Sequence, residues 1–417
     1  MAIQKKNSFN GSTSVPKGWE LKLLGELGTF SKGNGITKEQ LSPSGLPCIR
    51  YGEIYTSHDY FIKQFRSFIS DEVAKDSRQI RKNDILLAGS GETLEDIGKA
   101  IAYIGNEEAY AGGDVIIFSP NGKTDSIFLS YFLNTNYSNR QKRRLGQGHS
   151  VVHIYPYMLE ELKIFLPPLS EQKKIRDILF TWNKAIELTG KLIEAKEKQK
   201  DKLLQNIFIN PKQKQKNKFL KLGNECEVIT KGTTPTTNGF SFLKSGINFI
   251  KIETIQEDGT IIKDKLAYIS EEAHISLKRS QLKENDILIS IAGALGRVTI
   301  IKKSMLPANT NQALGIIRIN PKGKLNYAFV YYFLQSPIIK KRIKEINVQA
   351  AQANLSLADL NSFLIPELTA DAQENISSVF LCCDNEISLL KRKLNILINQ
   401  KKGLMQYLFT GEKRVKI

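Results

Sequence analysis

Two stretches of this chain repeat apolar residues at steps of three and four, the spacing that keeps one stripe of a helix apolar. The first runs through Leu179, Trp182, Ile186, Thr189, Ile193, Lys196, Lys200, Leu203 and Ile207. The second runs through Phe380, Cys383, Ile387, Leu390, Leu394, Leu397, Lys401, Leu404 and Leu408, each 201 positions further on. Pro is absent from Ser170–Phe208 and Thr369–Phe409, and strong helix formers dominate. The pattern predicts helices over 169–209 and 368–411, with cap signals at Ser170 and Thr369, a stop at Asn210-Pro211 and another at Gly411. A helix of roughly 38 residues is about 57 Å long. A stripe this narrow predicts a coiled-coil seam, carried by Leu179, Trp182, Ile186, Ile193 and Leu203 on one helix and by Phe380, Ile387, Leu390, Leu394, Leu397 and Leu404 on the other. The alternative is that each helix packs on its own globular domain.

The residues before each helix read differently. Short apolar runs such as Asp84–Ala88 and Val115–Phe118, bounded by Gly, Asn and Pro, predict strands. Ile127–Leu133 and Ala328–Leu334 read as buried helix.

The chain is also a repeat of itself. Leu24-Gly25 falls on Leu222-Gly223, Ser31-Lys32-Gly33 on Thr230-Lys231-Gly232, Asn83–Leu86 on Asn285–Leu288, and Ile97-Gly98-Lys99 on Leu295-Gly296-Arg297. Tyr131-Phe132-Leu133 falls on Tyr332-Phe333-Leu334, Pro167 on Pro366, and Gln172 on Gln373. The predicted fold is therefore α+β: two duplicated mixed α/β recognition domains separated by two long antiparallel helices, with pseudo-twofold symmetry. The boundaries are a polar tail at 1–17, a first domain at 18–168, a first helix at 169–209, a linker at 210–218, a second domain at 219–367, a second helix at 368–411 and a basic tail at 412–417. On this reading the rods hold two readers apart, and centres some 40–50 Å apart would match DNA sites about 12–15 base pairs apart.

Charge turns this architecture towards nucleic acid. Among 417 residues, 60 Lys and Arg face 42 Asp and Glu, a net charge of +18, and such an excess points to a polyanion. The basic residues cluster at matching places. Arg140, Lys142, Arg143 and Arg144 lead into Gln147 and His149; Lys340, Lys341, Arg342 and Lys344 lead into Gln349 and Gln352. Cations bind phosphate, and Gln or Asn amides match adenine edges; the bland alternative is a solvated helix face. Further candidates are Lys32, Arg50, Tyr51, Ser90 and Lys99 in the first copy, and Lys231, Thr233, Thr234, Lys251, Arg297, Asn311 and Gln312 in the second.

Little else suggests chemistry. There is no N-P-P-Y or D-P-P-Y element and no G-x-x-x-x-G-K-[ST] loop, and His149 and His153 lack the Glu of a zinc helix. The four cysteines have neither metal nor disulfide spacing, and no run approaches a membrane span. A non-catalytic, cytoplasmic protein is expected, with no metal and no membrane partner.

Three local features carry a family resemblance: Pro16-Lys17-Gly18-Trp19 followed by Leu24-Gly25; Asn83–Leu86 with its repeat Asn285–Leu288; and Leu166–Ile175 at the entry to the first helix. With them the chain resembles a type I restriction–modification specificity subunit over about residues 16–411. In the second junction, Ile365–Gln373, an insertion intervenes and the Glu-Gln pair is lost. The resemblance implies a reader of a bipartite, asymmetric site on double-stranded DNA with a fixed gap. It also implies two methyltransferase subunits and restriction/translocase subunits as partners, no cofactor on this chain, and S-adenosylmethionine, ATP and Mg2+ on the partners. The competing expectation is a coiled-coil scaffold that binds nucleic acid or acidic proteins without sequence preference.

Overall fold

In each half of the chain the polypeptide folds the same way, beginning with a strand that pairs with the strand just ahead of the long helix. Glu20–Leu23 lies antiparallel to Lys163–Leu166, and Phe219–Lys221 lies antiparallel to Leu364–Pro366. The computed structural model describes residues 15–148, 151–209, 218–348 and 354–416. It divides into two compact units, Met1–Leu188 with Leu394–Ile417, and Thr189–Lys393.

In the first unit a five-stranded sheet runs Gly28–Lys32, Val115–Pro120, Ile85–Ala88, Ala100–Tyr103, Phe61–Ile62. A second sheet runs Ser67–Ile69, Leu46–Ile49, Ala109–Ala111, Arg78–Ile80. The second unit repeats both orders with one edge strand fewer in each: Cys226–Lys231, Leu314–Ile319, Ile287–Ser290, Val298–Ile300, and Ala267–Ile269, Ile247–Ile250, Ala308–Thr310. Central strands such as Ile85–Ala88 and Ile287–Ser290 are buried on both faces, which is why they read as continuous apolar runs rather than alternating ones. The apolar segments after the sheets are helices, Ser126–Leu133 and Tyr327–Gln335.

The Asn-Asp motif has a backbone cause in both copies. Asn83 and Asn285 sit at φ +74° and +68°, in the left-handed region that Gly adopts freely and Asn tolerates better than other L-residues. The following Asp closes the turn by accepting from the backbone of Arg81 or Lys283, each at 2.7 Å. Asp84 also accepts from Ser119 Oγ at 2.7 Å, whereas Asp286 holds Arg318 with two bonds of 2.8 and 2.7 Å.

Both long helices are 41 residues, Leu169–Ile209 and Ala370–Thr410. Thr369 caps the second, accepting from the Ala372 amide at 3.3 Å. The expected cap at Ser170 is instead the second residue of the first helix, because the chain turns helical directly after Pro168. Each helix start is locked to its domain by the same glutamine. Gln172 accepts from the Asp125 amide and donates to the Pro167 carbonyl, both at 2.9 Å. Gln373 accepts from the Asn326 amide at 2.8 Å and donates to the Leu368 carbonyl at 3.0 Å.

Within each unit the two helices run antiparallel. In the first, Ile175 and Leu179 share a core with Met405, Leu408 and Phe409, and Asn183 accepts from Lys401. In the second, Glu197 pairs with Lys391, Lys200 with Asp384 and Phe208 with Phe380, so numbering rises on one helix as it falls on the other. The packing alternative is met only for the N-terminal half of each helix: Ile175 and Leu179, and Phe380, lie in the core of their own domain, whereas Leu204 and Phe208, and Met405, Leu408 and Phe409, lie in the core of the other copy's domain. Towards each C-terminal end the buried row steps by four instead of three. Leu204 and Met405 are buried where Leu203 and Leu404 are half-buried. Stepping four per turn rotates the apolar face from the partner helix onto the globular core.

Candidate nucleic-acid interface

In both copies a Lys-Gly turn leaves its strand and runs against the opposite backbone. The Gly33 amide donates to the Val115 carbonyl at 2.8 Å and Gly232 to Leu314 at 3.2 Å. A Cβ on either glycine would lie 2.0 or 2.1 Å from a carbonyl oxygen, Gly112 or Thr310 respectively, so no larger residue fits. The turn thereby exposes the lysine before it and the polar residues after it.

What surrounds this shared turn differs. In the first unit Lys32 faces Asp114 at 3.8 Å, and the Arg50 side-chain stem packs at Gly112. Tyr51, 40% exposed, opens the helix Tyr51–Thr56 beside it. In the second unit Thr234 donates to Gln312, and Thr233 accepts from Arg279 at 3.0 Å. Lys251 lies 4.0 Å from the centre of the exposed Phe242 ring. Lys231, Thr233, Thr234, Lys251, Asn311 and Gln312 thus gather around one turn, as Lys32, Arg50 and Tyr51 do in the other copy. Arg279 and Phe242 belong to this surface and were not singled out from sequence. At the shift of 201 they fall on Arg78 and Leu41 of the first copy; only the folded chain shows that they reach this turn.

Other candidates have internal roles. Lys142 is a correction: it is 1% exposed and donates to the Gly98 carbonyl at 2.6 Å, and burial pushes its ammonium down to about 7. It is unavailable to phosphate. Its repeat partner is Ile343, also buried and packed at Gly296, so the apolar residue in the other copy was the signal that this position faces inward. Ser90 is likewise buried, with its hydroxyl 2.9 Å from His153 Nδ1. Lys99 donates to the carbonyls of Tyr55 (3.3 Å) and His58 (2.6 Å), and burial lowers its pKa. Arg297 does the same work in the second copy, donating to Ile255 O at 2.8 Å. These cations tie down the segments that follow Arg50 and Lys251.

The basic helix Asn136–Leu145 leaves Arg140, Arg143 and Arg144 exposed. Lys341, Arg342 and Lys344 are exposed on Pro337–Val348, with Arg342 3.6 Å from Glu345. Gln147 is exposed and exchanges two backbone hydrogen bonds with His153, 2.9 and 2.7 Å long. His149, Gln349 and Gln352 lie outside the described residues.

Glu171 explains the departure at the second junction. Its carboxylate accepts from Trp19 Nε1 at 3.0 Å and from Arg414 twice at 2.6 Å, while Arg414 also donates to the Lys17 carbonyl. The acid holds the residues after the second helix to the start of the first domain; the second copy has Ala372 at the equivalent place.

Among the described residues no helix is long and apolar enough to cross a membrane, and no group of three or more His, Cys, Asp or Glu is placed to hold a metal ion.

Comparison with known proteins agrees with the duplicated build. The family described as "Type I restriction modification DNA specificity domain" matches twice, over residues 16–198 and 214–400. The MjaVIII specificity subunit of a type I restriction enzyme from Methanocaldococcus jannaschii is 24% identical, covering 100% of this chain and 98% of that protein. The EcoKI specificity subunit from Escherichia coli K12 is 22% identical, covering 95% and 90%. The fold is similar to a chain solved in work on assembly and conformational transition of the type I R-M system, with a TM-score of 0.64 at 16% identity over 96% of this chain and 100% of that one. It is also similar to the type I S subunit from M. genitalium, with a TM-score of 0.57 at 16% identity over 98% of both chains. With both copies matched by one specificity-domain family across most of its length, the chain belongs to the type I restriction–modification DNA specificity family.

Proposed function

We propose that this chain reads double-stranded DNA as the specificity subunit of a type I restriction–modification complex, each unit recognising one half of a bipartite, asymmetric site with a fixed gap. The observation that carries the reading is the shared Lys-Gly turn: matching backbone contacts in both copies present Lys32, Arg50 and Tyr51 in one and Lys231, Thr233, Thr234 and Gln312 in the other. One scaffold with two sets of side chains is what two different half-sites require. The net charge of +18 supplies attraction to phosphate, and the amides and guanidinium groups at the turns supply base-edge contacts.

The long helices support the partner assignment. Phe180 and Leu381, 43% and 56% exposed, occupy equivalent turns, as do Leu188 and Leu389, 55% and 61% exposed. Apolar residues left outside at the same places on both helices suit two copies of one partner. In this reading the partners are two methyltransferase subunits together with restriction/translocase subunits. S-adenosylmethionine, ATP and Mg2+ reside on those partners, and the specificity subunit contributes positioning rather than catalysis.

Exchange of residues 18–168 for the corresponding domain of a relative tests this. Methylation-sensitive sequencing of a host carrying the hybrid should show one half-site changed and the other kept. A change in both halves, or in neither, overturns the modular reading.

A further inference from the structure

The first unit carries an exposed row of rings that its duplicate lacks. His153, Tyr155 and Tyr157 project from alternate positions of one segment. Their planes are nearly parallel: His153 and Tyr155 are 6.4 Å apart at 20°, and Tyr155 and Tyr157 are 6.0 Å apart at 8°. Tyr155 is 40% exposed and Tyr157 63%. A single exposed tyrosine is ordinary, whereas a contiguous row of parallel rings marks a surface that is used.

The row is held in place. His153 is bonded through its backbone to Gln147, through its ring to the buried Ser90, and through the strand pair Val152–His153 with Ser90–Gly91. The second unit keeps this frame, with Ala292 bridged to Asn354 where Ser90 meets His153. Shifting by 201 residues places Asn354, Ser356 and Ala358 opposite His153, Tyr155 and Tyr157. Ser356 there is committed to capping the helix Leu357–Ser362. The frame is therefore common and the rings are particular to one copy.

The surroundings favour DNA as the occupant. Arg143 and Arg144 are exposed at the end of the helix that leads through Gly146 to Gln147. An exposed Gln amide next to the rings matches the adenine edge in the major groove, and the thymine of the same pair presents a methyl group, the one apolar feature there. Cations for phosphate, an amide for adenine and rings for thymine methyl groups thus follow one another along the chain, joined where Gln147 pairs with His153.

We propose that His153, Tyr155 and Tyr157 form a DNA-reading edge of the first unit that recognises A·T pairs by packing Tyr155 and Tyr157 on thymine methyl groups, with His153 as a positioning residue. This rests on the specificity reading above.

The test uses the full chain assembled with its modification subunits. A randomised duplex library is selected with the wild-type complex, and the recovered site is remade with deoxyuridine for thymidine in one half at a time, which removes only the methyl groups. In the half read by the first unit, deoxyuridine should weaken wild-type binding about fourfold per methyl, from the roughly 0.8 kcal/mol of one buried carbon group. It should cost nothing further in Tyr155→Ala/Tyr157→Ala, whose rings are exposed enough to remove without unfolding the unit. Tyr155→Phe/Tyr157→Phe should respond as wild type. Deoxyuridine in the other half should act alike on all three. If methyl loss costs the alanine variant as much as wild type, or the first unit's half-site contains no A·T pair, the ring proposal fails while the specificity reading stands. If the wild-type complex selects no sequence, the specificity reading fails and the ring proposal falls with it.

Discussion

Lys401 and Lys200 occupy the same turn of the two long helices, and both are buried, yet the two copies solve the cost of that burial differently. In the first unit Lys401 donates to the neutral amide oxygen of Asn183 at 2.5 Å and lies 4.2 and 5.6 Å from the ring centres of Tyr60 and Tyr131. In the second, Lys200 donates to the carboxylate of Asp384 at 2.5 Å and lies 5.6 Å from the Tyr332 ring. Asn183 and Asp384 are repeat partners, as are Tyr131 and Tyr332. Duplication kept a cation at each helix seam and varied what answers its charge. Aromatic faces and a dipole leave Lys401 short of compensation, and burial pushes its ammonium down to about 8.

The comparison presumes that both seams are packed alike, and its largest test is the aromatic anchor of each. Phe208 packs against Phe329, Phe333 and Phe380; Phe409, its repeat partner, packs against Phe128 and Phe132. Phe208→Ala and Phe409→Ala should each lower unfolding stability by about 3–4 kcal/mol in urea titration. A cost well below 2 kcal/mol for one of them alone would mean that the two seams are not equivalent.

A smaller effect separates the lysines. Lys200→Met strands Asp384, to which, among the described residues, the Tyr332 hydroxyl still donates at 3.0 Å. Because the Asp384 side chain is 32% exposed, the expected loss is about 1–2 kcal/mol rather than that of a fully buried pair. Lys401→Met leaves Asn183 donating to Tyr131 and should cost less than Lys200→Met. The reverse order would show that ring contact, not the carboxylate, is the stronger compensation.

An effect comparable to that of Lys200→Met is in pH. Lys401 releases its proton near 8 when folded, but only near the ordinary lysine value of about 10.4 when unfolded. Between these values the unfolded chain binds more protons, so the Lys401 contribution to stability should rise with pH across that window and stay level below it. Asn183→Asp places a carboxylate beside Lys401, raises its pKa and should flatten the rise. Lys142, lowered to about 7 in the same unit, contributes equally to both proteins, so the difference between their urea midpoints at pH 7.5 and 9.5 isolates Lys401. Equal slopes would remove the burial argument.

Much of this was legible before folding. The repeat, the apolar strand runs and the helical stripe follow from residue order, because local backbone preference and burial period are written at short range. The candidate interface was legible only in part. Within the charge run at Arg140–Arg144 alone nothing marks the inward-facing residue; comparison with the apolar Ile343 of the other copy does, and helix geometry aims Lys142 at the Gly98 carbonyl. For Lys99 and Arg297, half-buried DNA-contact candidates, the sequence carried no sign of the carbonyls that the folded chain brings to them. Arg279 was missed because its partner Thr233 comes from a distant turn, and Phe242 because the fold, not its place in the chain, sets its ring under the Lys251 ammonium.

By itself the sequence determined that there are two copies of one mixed domain, each followed by a long helix, and that the chain is strongly basic. Which half of each helix joins which core was decided only by tertiary structure. The rotation from three-residue to four-residue steps at Leu204 and Met405 depends on a globular surface waiting there, and no local preference encodes it. Which cations remain free for DNA was decided the same way. A buried charge must find carbonyls, carboxylates or rings, and those are supplied by residues tens or hundreds of positions away.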